Sequence, residues 1–237
     1  MREYVKEIYP MECDCNRTLP PSGILRQCLN YIVNDIRLDG CDRRVILPKL
    51  GAVWMITRMK FSQYQKISAN DVLIYRTYPR IAEKGHYVFE ADALRGDEKV
   101  LSFASVFVLV NVVERHAMRL SEVEPLWTSP ARVSEHSPFN RLNIDFPLRR
   151  GGTATVRMSD CDSNRHLTSP QYLSLICDEV GYWENEEHRM RFMQVDFVSE
   201  ILPGTEIRFE VGEMDGRRYV RGYKQEDKLA FSAMCEF

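Results

Sequence analysis

The chain has 237 residues, with 32 Lys+Arg against 34 Asp+Glu, a formal net charge of -2, 44% hydrophobic and 28% charged residues. That is the make-up of a globular protein with room for one large core or two smaller ones. The balanced charge excludes a nucleic-acid binder built on phosphate neutralisation, which needs a basic excess. The longest apolar stretch, 100–113, is broken by Ser102, Ser105 and Asn111. It falls short of the roughly 20 residues of a membrane span.

At the start of the chain, MREYVKEIYP has no apolar run behind its charges, so no secretory leader is expected. The seven cysteines, Cys13, Cys15, Cys28, Cys41, Cys161, Cys177 and Cys235, show no disulfide spacing. Reduced thiols and a cytoplasmic location follow, and Asn16-Arg17-Thr18 is then a chance glycosylation match. An extended segment, 4–12, precedes Cys13-Asp14-Cys15-Asn16-Arg17-Thr18-Leu19. Ile24, Leu25, Cys28, Leu29, Ile32, Val33 and Ile36 then recur at helical spacing, ending near Gly40. Strands follow, with a hairpin turn at Arg95-Gly96-Asp97. The stretch 114–150, with Pro125, Pro130, Pro138 and Pro147 and weak periodicity, reads as a connection. A segment of that length crosses between halves or covers a site.

The order then repeats. Cys161-Asp162-Ser163-Asn164-Arg165-His166-Leu167 lines up with 13–19, again behind an extended segment, 153–159. A second helical pattern, Leu173, Ile176, Cys177, Val180 and Trp183, follows, with Ser169 as N-cap and Pro170 at the first helical position. Leu229-Ala230-Phe231-Ser232-Ala233 matches Leu101-Ser102-Phe103-Ala104-Ser105, and Asp215-Gly216 marks a type I′ hairpin. The fold class is therefore α+β, a tandem or double hot-dog: two long antiparallel sheets, each wrapped on a hydrophobic helix. The expected parts are an N-terminal hot-dog at 1–113, a linker at 114–150, and a C-terminal hot-dog at 151–237. Exposed sheet edges leave a homodimer open.

The halves differ where chemistry can reside. Asp162, Asn164 and His166 fall at i, i+2 and i+4, on one side of the chain if it is extended, just before a helix N-terminus suited to an oxyanion. Asp14 and Asn16 occupy the matching places, so turn or cap chemistry explains Asp162 as readily as function does. His166 replaces Thr18, and capping does not call for a histidine. Glu200 follows the strand at 193–197, where the first half offers Tyr64 or Gln65; a strand-end glutamate is more often solvated than catalytic. Cys161 with His166 is a weaker thiolate–imidazole candidate, since alternation separates them. His86, His116, His136 and His188 receive no role. Trp54, Trp127 and Trp183 read as core or interface.

At these residues the sequence resembles the plant and bacterial acyl-ACP thioesterases. Trp54–Phe61, Tyr75–Pro79 and Asn111–Arg119 are similar to landmarks of the family's first half. Ser159-Asp160-Cys161-Asp162-Ser163-Asn164-Arg165-His166 matches its Ser-Asp-x-Asp-x-Asn-x-His motif, and Phe197-Val198-Ser199-Glu200 its aromatic-x-x-Glu. The resemblance implies hydrolysis of a fatty-acyl thioester on acyl carrier protein, with Asp162, Asn164, His166 and Glu200 as catalytic set and no metal or cofactor. Glu200 serves as base on a water, Asn164 and His166 polarise the carbonyl, and Asp162 orients its neighbours; Asp162 stays open as the alternative base. The residues after His166, Leu167-Thr168-Ser169, and Ile201 after Glu200 depart from the family pattern. The acidic carrier, with its phosphopantetheine-linked acyl chain, calls for a basic patch, for which Arg43-Arg44, Arg149-Arg150 and Arg217-Arg218 are candidates. An acyl-CoA thioesterase, a non-catalytic acyl-binding hot-dog and a hot-dog hydratase are the competing readings.

Overall fold

The computed structural model describes residues 1–83, 85–132, 139–184 and 189–237. His136, Pro138 and His188 lie outside them. Chain order begins with β1 (Arg2–Glu7), a single 3-10 turn (Pro10–Glu12), α1 (Pro21–Leu38) and α2 (Arg43–Leu50). β2 (Ala52–Gln63), β3 (Val72–Thr77), β4 (Ile81–Glu83), β5 (His86–Arg95) and β6 (Glu98–Asn111) complete the first half. A short α3 (Leu120–Val123) lies in the connection. The second half is β7 (Arg149–Thr155), α4 (Ser169–Glu179), β8 (Phe192–Phe197), β9 (Glu206–Met214), β10 (Arg217–Lys224) and β11 (Lys228–Glu236).

The expected repeat is visible in the strand order, β1-β3-β5-β6-β2-β8-β11-β10-β9-β7, with β4 paired to β5. Read outward from the centre, the two halves have the same arrangement. The two half-sheets are not separate. They join where β2 pairs antiparallel with β8, from Arg58 opposite Asp196 to Ser62 opposite Phe192. On one face α1 and α4 pack against each other. Helical spacing places Ile24, Leu25, Cys28, Ile32 and Ile36 on the inner side of α1, all 1% exposed or less. Burying each Ile or Leu contributes roughly 1.5–3 kcal/mol. Asp215 and Gly216 both have positive φ (53° and 72°), as their two-residue hairpin requires.

Two elements differ from expectation. The helix at 43–50 is hidden from periodicity by its brevity and by Pro48 in its last turn. Its ends are ordinary: Asp42 precedes it, and Gly51 closes it in the left-handed region (φ 59°). The second main helix starts at Ser169 with Thr168 as N-cap, one residue earlier than the expected start, so Pro170 is its second residue. Trp183 lies in a separate 3-10 turn at 39% exposure, not in the core. Trp54 and Trp127 do sit in an aromatic cluster, 5.8 Å apart.

The connection crosses the sheet on its other face. Arg80 binds the Ser129 carbonyl at 2.7 Å, Arg58 binds that of Phe139 at 2.5 Å, Gln194 that of Asn140 at 2.9 Å, and Arg221 that of Ile144 at 2.7 Å. These contacts step from the first half across the β2–β8 seam to β10. Asp196 accepts the Leu142 N–H at 2.7 Å. Burial pushes the Asp196 carboxyl up, opposed by that N–H, Gln194 and Arg58. No helix among the described residues is long and apolar enough to cross a membrane.

Gly222 in β10 lies flat against the Phe231 ring of β11, where any Cβ overlaps buried ring carbons. Gly222→Ala is expected to lower stability by about 1–3 kcal/mol. A chemical-denaturation midpoint measures this, and an unchanged midpoint contradicts the close packing.

Candidate active site

Residues 161–167 do not form an extended strand. Cys161 and Leu167 pair as a single antiparallel bridge, and the chain between them is a tight turn. Asp162 holds it: its Oδ1 accepts the N–H of Asn164 at 2.7 Å and of His166 at 3.3 Å. Its own N–H donates to the His166 carbonyl at 2.8 Å. Arg165 takes a left-handed conformation (φ 62°) to close the loop. Asp binds the amide two residues on more readily than it continues a strand, so turn chemistry overrides the alternation.

The first half repeats this turn bond for bond. Asp14 accepts the N–H groups of Asn16 (2.9 Å) and Thr18 (3.0 Å), Asp14 N–H meets the Thr18 carbonyl at 2.8 Å, and Arg17 has φ 59°. The Asp side chain thus does structural work in both copies. At the position of Thr18 and His166 the copies diverge: Thr18 is 1% exposed and bonds Asp14 at 2.9 Å, whereas His166 is partly exposed and turns toward Glu200.

Glu200 reaches the turn through a bulge. β8 ends at Phe197, and the N–H groups of Val198 and Ser199 both bond the Ala230 carbonyl, at 2.8 and 3.1 Å. Two donors on one acceptor kink the chain and re-aim the next residue, so alternation from Phe197 does not govern Glu200. Tyr64 and Gln65 share the Val100 carbonyl in the same way, and Leu19 N–H binds Ile67 as Leu167 N–H binds Ile201. The residue equivalent to Glu200 is therefore Lys66, not Tyr64 or Gln65. One half has a carboxylate where the other has a cation.

The geometry is two adjoining pairs. His166 Nε2 lies 3.3 Å from Glu200 Oε2. Asn164 Nδ2 donates to Asp162 Oδ2 at 3.4 Å. The His166 and Glu200 side chains are 29% and 28% exposed, so the carboxylate is within reach of water rather than sealed in a dry channel. Tyr172, beneath it, donates to the Ser199 carbonyl at 3.4 Å. Burial, then the Glu200 charge, pushes its hydroxyl up, keeping it neutral. The start of α4 offers fewer donors than expected: Pro170 has none, and Gln171 N–H is committed to the Thr168 carbonyl at 2.8 Å.

Two further residues arrive from the first half. Arg43, first in α2, donates to Asn164 Oδ1 at 3.1 Å. Arg115, in the turn after β6, donates to Glu200 Oε1 at 3.2 Å. No local pattern shows which residue either one meets, because each reaches its partner only through tertiary packing. Of the three arginine pairs, only Arg43-Arg44 stands here. Arg217 and Arg218 begin β10, while Lys224 at its other end bonds the Glu200 carbonyl at 2.8 Å, a separation of roughly 23 Å at strand rise. Arg149 pairs opposite Val211, also toward that distant end.

The apolar face of α1, expected to line an acyl pocket, is packed against the sheet. The cleft of 570 Å³ that opens in the first half is instead beside the connection, among Lys60, Glu90, Asp92, Arg132 and Phe139. Cys161 donates its thiol to the Arg157 carbonyl at 3.4 Å. Burial, then Asp160 and Asp162, raises its pKa, so it remains a thiol. All seven cysteines are free.

Residues 151–232 match the family description "Acyl-ACP thioesterase C-terminal domain". No curated protein sequence matches the chain. Among solved structures, an acyl-ACP thioesterase from Bacteroides thetaiotaomicron superposes with a TM-score of 0.83 at 18% identity, over 100% of this chain and 97% of the other. The 12:0-ACP thioesterase from Umbellularia californica gives 0.79 at 16%, over 99% and 96%. A MaoC-like dehydratase from Phytophthora capsici gives 0.57 at 11%, over 78% and 68%. The fold is the double hot-dog, and the chain resembles the acyl-ACP thioesterases.

Cys161→Ala is expected to leave turnover within about twofold, whereas Asp162→Ala, which frees two turn amides, is expected to lower stability by about 1–3 kcal/mol. Thermal melting and a thioester assay on both variants check this; loss of activity in the cysteine variant restores the thiol as a candidate nucleophile.

Proposed function

Starting from a double hot-dog chain whose second half matches the acyl-ACP thioesterase C-terminal domain, we propose that the protein hydrolyses fatty-acyl-ACP to free fatty acid and the carrier thiol. The family match carries thioester hydrolysis. The observation that carries the mechanism is the 3.3 Å approach of His166 Nε2 to Glu200 Oε2, present in one half and replaced by Thr18 and Lys66 in the other. Scaffold is kept by both copies; this pair is not.

Glu200 takes the proton of a water as that water adds to the thioester carbonyl. The C–S bond then breaks, and the proton passes to the departing thiolate. His166 holds one carboxylate oxygen and relays the proton. Asn164, with its carboxamide N–H groups, polarises the carbonyl as negative charge develops on its oxygen. Asp162 acts through the turn, fixing the backbone that carries Asn164 and His166. Its commitment to two backbone N–H groups favours Glu200 over Asp162 as base. The acyl chain is assigned to the first half, whose helix and half-sheet carry the apolar side chains that suit it. The carrier is assigned to the face where the start of α2 presents the exposed Arg44 beside the site.

His166→Ala and Glu200→Gln are each expected to slow acyl-ACP hydrolysis by about 10²- to 10⁴-fold. One acyl chain offered on ACP and on CoA is expected to be released faster from ACP. The opposite order makes the protein an acyl-CoA thioesterase. Ligand binding without turnover in the wild type makes it an acyl-binding protein, and water addition to an enoyl thioester makes it a hydratase.

A further inference from the structure

Taking Glu200 as base and Asn164 as carbonyl donor, as above, we propose that the first half completes the active site by supplying two positioning residues, Arg43 on Asn164 and Arg115 on Glu200. The halves then divide the work: the second provides the reacting groups, and the first sets which way they point.

Each arginine takes one oxygen of its partner. Arg43 Nη1 donates to Asn164 Oδ1 at 3.1 Å. A carboxamide whose oxygen is bound to a guanidinium cannot flip, because the flip would bring its NH₂ against a cation. With the oxygen so held, one Asn164 N–H meets Asp162 Oδ2 at 3.4 Å and the other is left for a substrate oxygen. Arg115 Nη2 takes Glu200 Oε1 at 3.2 Å, while His166 is on Oε2 at 3.3 Å. The terminal torsion of a glutamate is broad and roughly two-fold. Engaging both oxygens, one by each partner, reduces it to one orientation, with the remaining lone pairs fixed in place.

The backbone that presents these arginines is itself held. Arg115 has a left-handed conformation (φ 58°), uncommon for a non-glycine residue and maintained only where surroundings over-determine it. Here Asn111 does so: its side-chain oxygen accepts the N–H of Val113 at 2.9 Å and of Glu114 at 3.0 Å, and its carbonyl accepts that of Arg115 at 3.0 Å. Met118 N–H returns to the Leu109 carbonyl at 2.7 Å, locking the turn to β6. Arg43 is set by the start of α2, whose Asp42 carbonyl accepts Val45 and Ile46 at 3.0 and 2.9 Å. Stability does not account for the contacts. Arg115 is 68% exposed, and ion pairs that open to water add little to stability. The reward is orientation.

Carrier docking is the competing role for exposed arginines beside a site, and a carrier-free substrate separates the two. Arg43→Ala and Arg115→Ala are to be assayed on acyl-ACP and on the same acyl chain carried by N-acetylcysteamine. The expected result is a fall in kcat of about 10- to 100-fold on both substrates, with KM within about twofold. Arg115→Lys is expected to recover most of the loss, Arg43→Lys less. Added guanidinium is expected to restore part of the activity of Arg115→Ala. In a Glu200→Gln background, Arg115→Ala is expected to cost nothing further. Unchanged melting temperatures of the variants confirm that folding is intact. A rise in KM confined to acyl-ACP, with carrier-free turnover unaltered, overturns positioning in favour of docking; wild-type kinetics on both substrates overturn it outright. If Glu200→Gln and His166→Ala retain wild-type rates, the catalytic reading falls; if those two are inactive and the arginine variants are not, only this inference does.

Discussion

The pairing of β2 with β8 is the contact on which the rest of the molecule depends. It turns two half-sheets into one, removes an edge from each, and places α1 against α4 on a shared face. An isolated half leaves the Arg58–Ser62 edge with unpaired N–H and C=O groups, an invitation to aggregation. The connection stitches over this seam, with Arg58 and Gln194 bonding successive carbonyls at Phe139 and Asn140 on its two sides. Asp196, pushed up by burial, is tolerated there because Leu142 and Gln194 donate to it.

Once the halves are fixed, the same local devices appear twice and are used differently. An Asp-centred turn follows the first strand of each half, and a bulge follows the central strand. In the first copy this constellation is closed: Thr18 is buried, Tyr182 from the second half lays its hydroxyl 3.5 Å from Asp14, and Lys66 occupies the bulge position. In the second copy it is open, and the first half reaches it with charged rather than aromatic side chains. Each half therefore caps its twin's turn, but one cap seals and the other leaves a pair of polar groups within reach of solvent. The asymmetry of the molecule is concentrated in a few side chains on a backbone that stays symmetric.

The open site is also economical in what it asks of burial. His166 and Glu200 are about a quarter exposed, so neither has to be stripped of water to coexist with the fold. Tyr172 and Leu167 beside them are buried, and burial, reinforced by Asp160 and Asp162, keeps the Cys161 thiol protonated. The chemistry proposed for the site is proton transfer between a carboxylate and a water, with donors from both halves bonded to its polar groups.

Much of this was legible in the chain itself. The duplicated Cys-Asp-x-Asn-Arg segments, the helical spacing of Ile24 to Ile36 and the Asp215-Gly216 turn specified a double hot-dog, because each is a local preference that tertiary packing reinforces. The contrast of His166 with Thr18 was equally plain, since residue identity needs no coordinates. The direction of Glu200 was not, because a bulge depends on two amides competing for one carbonyl on another strand. Nor was the partner of Glu200 in the first copy, Lys66, which an alignment by spacing misplaced by one or two residues. Arg43 was legible only as part of a candidate basic pair and Arg115 only inside a family landmark; their partners were not legible, because Arg43 and Arg115 touch residues 121 and 85 positions away. Sequence determined what groups the protein owns and the repeated frame that bears them; only the folded pairing of the halves decided which of those groups meet, since contacts across a seam between distant segments leave no period in the chain.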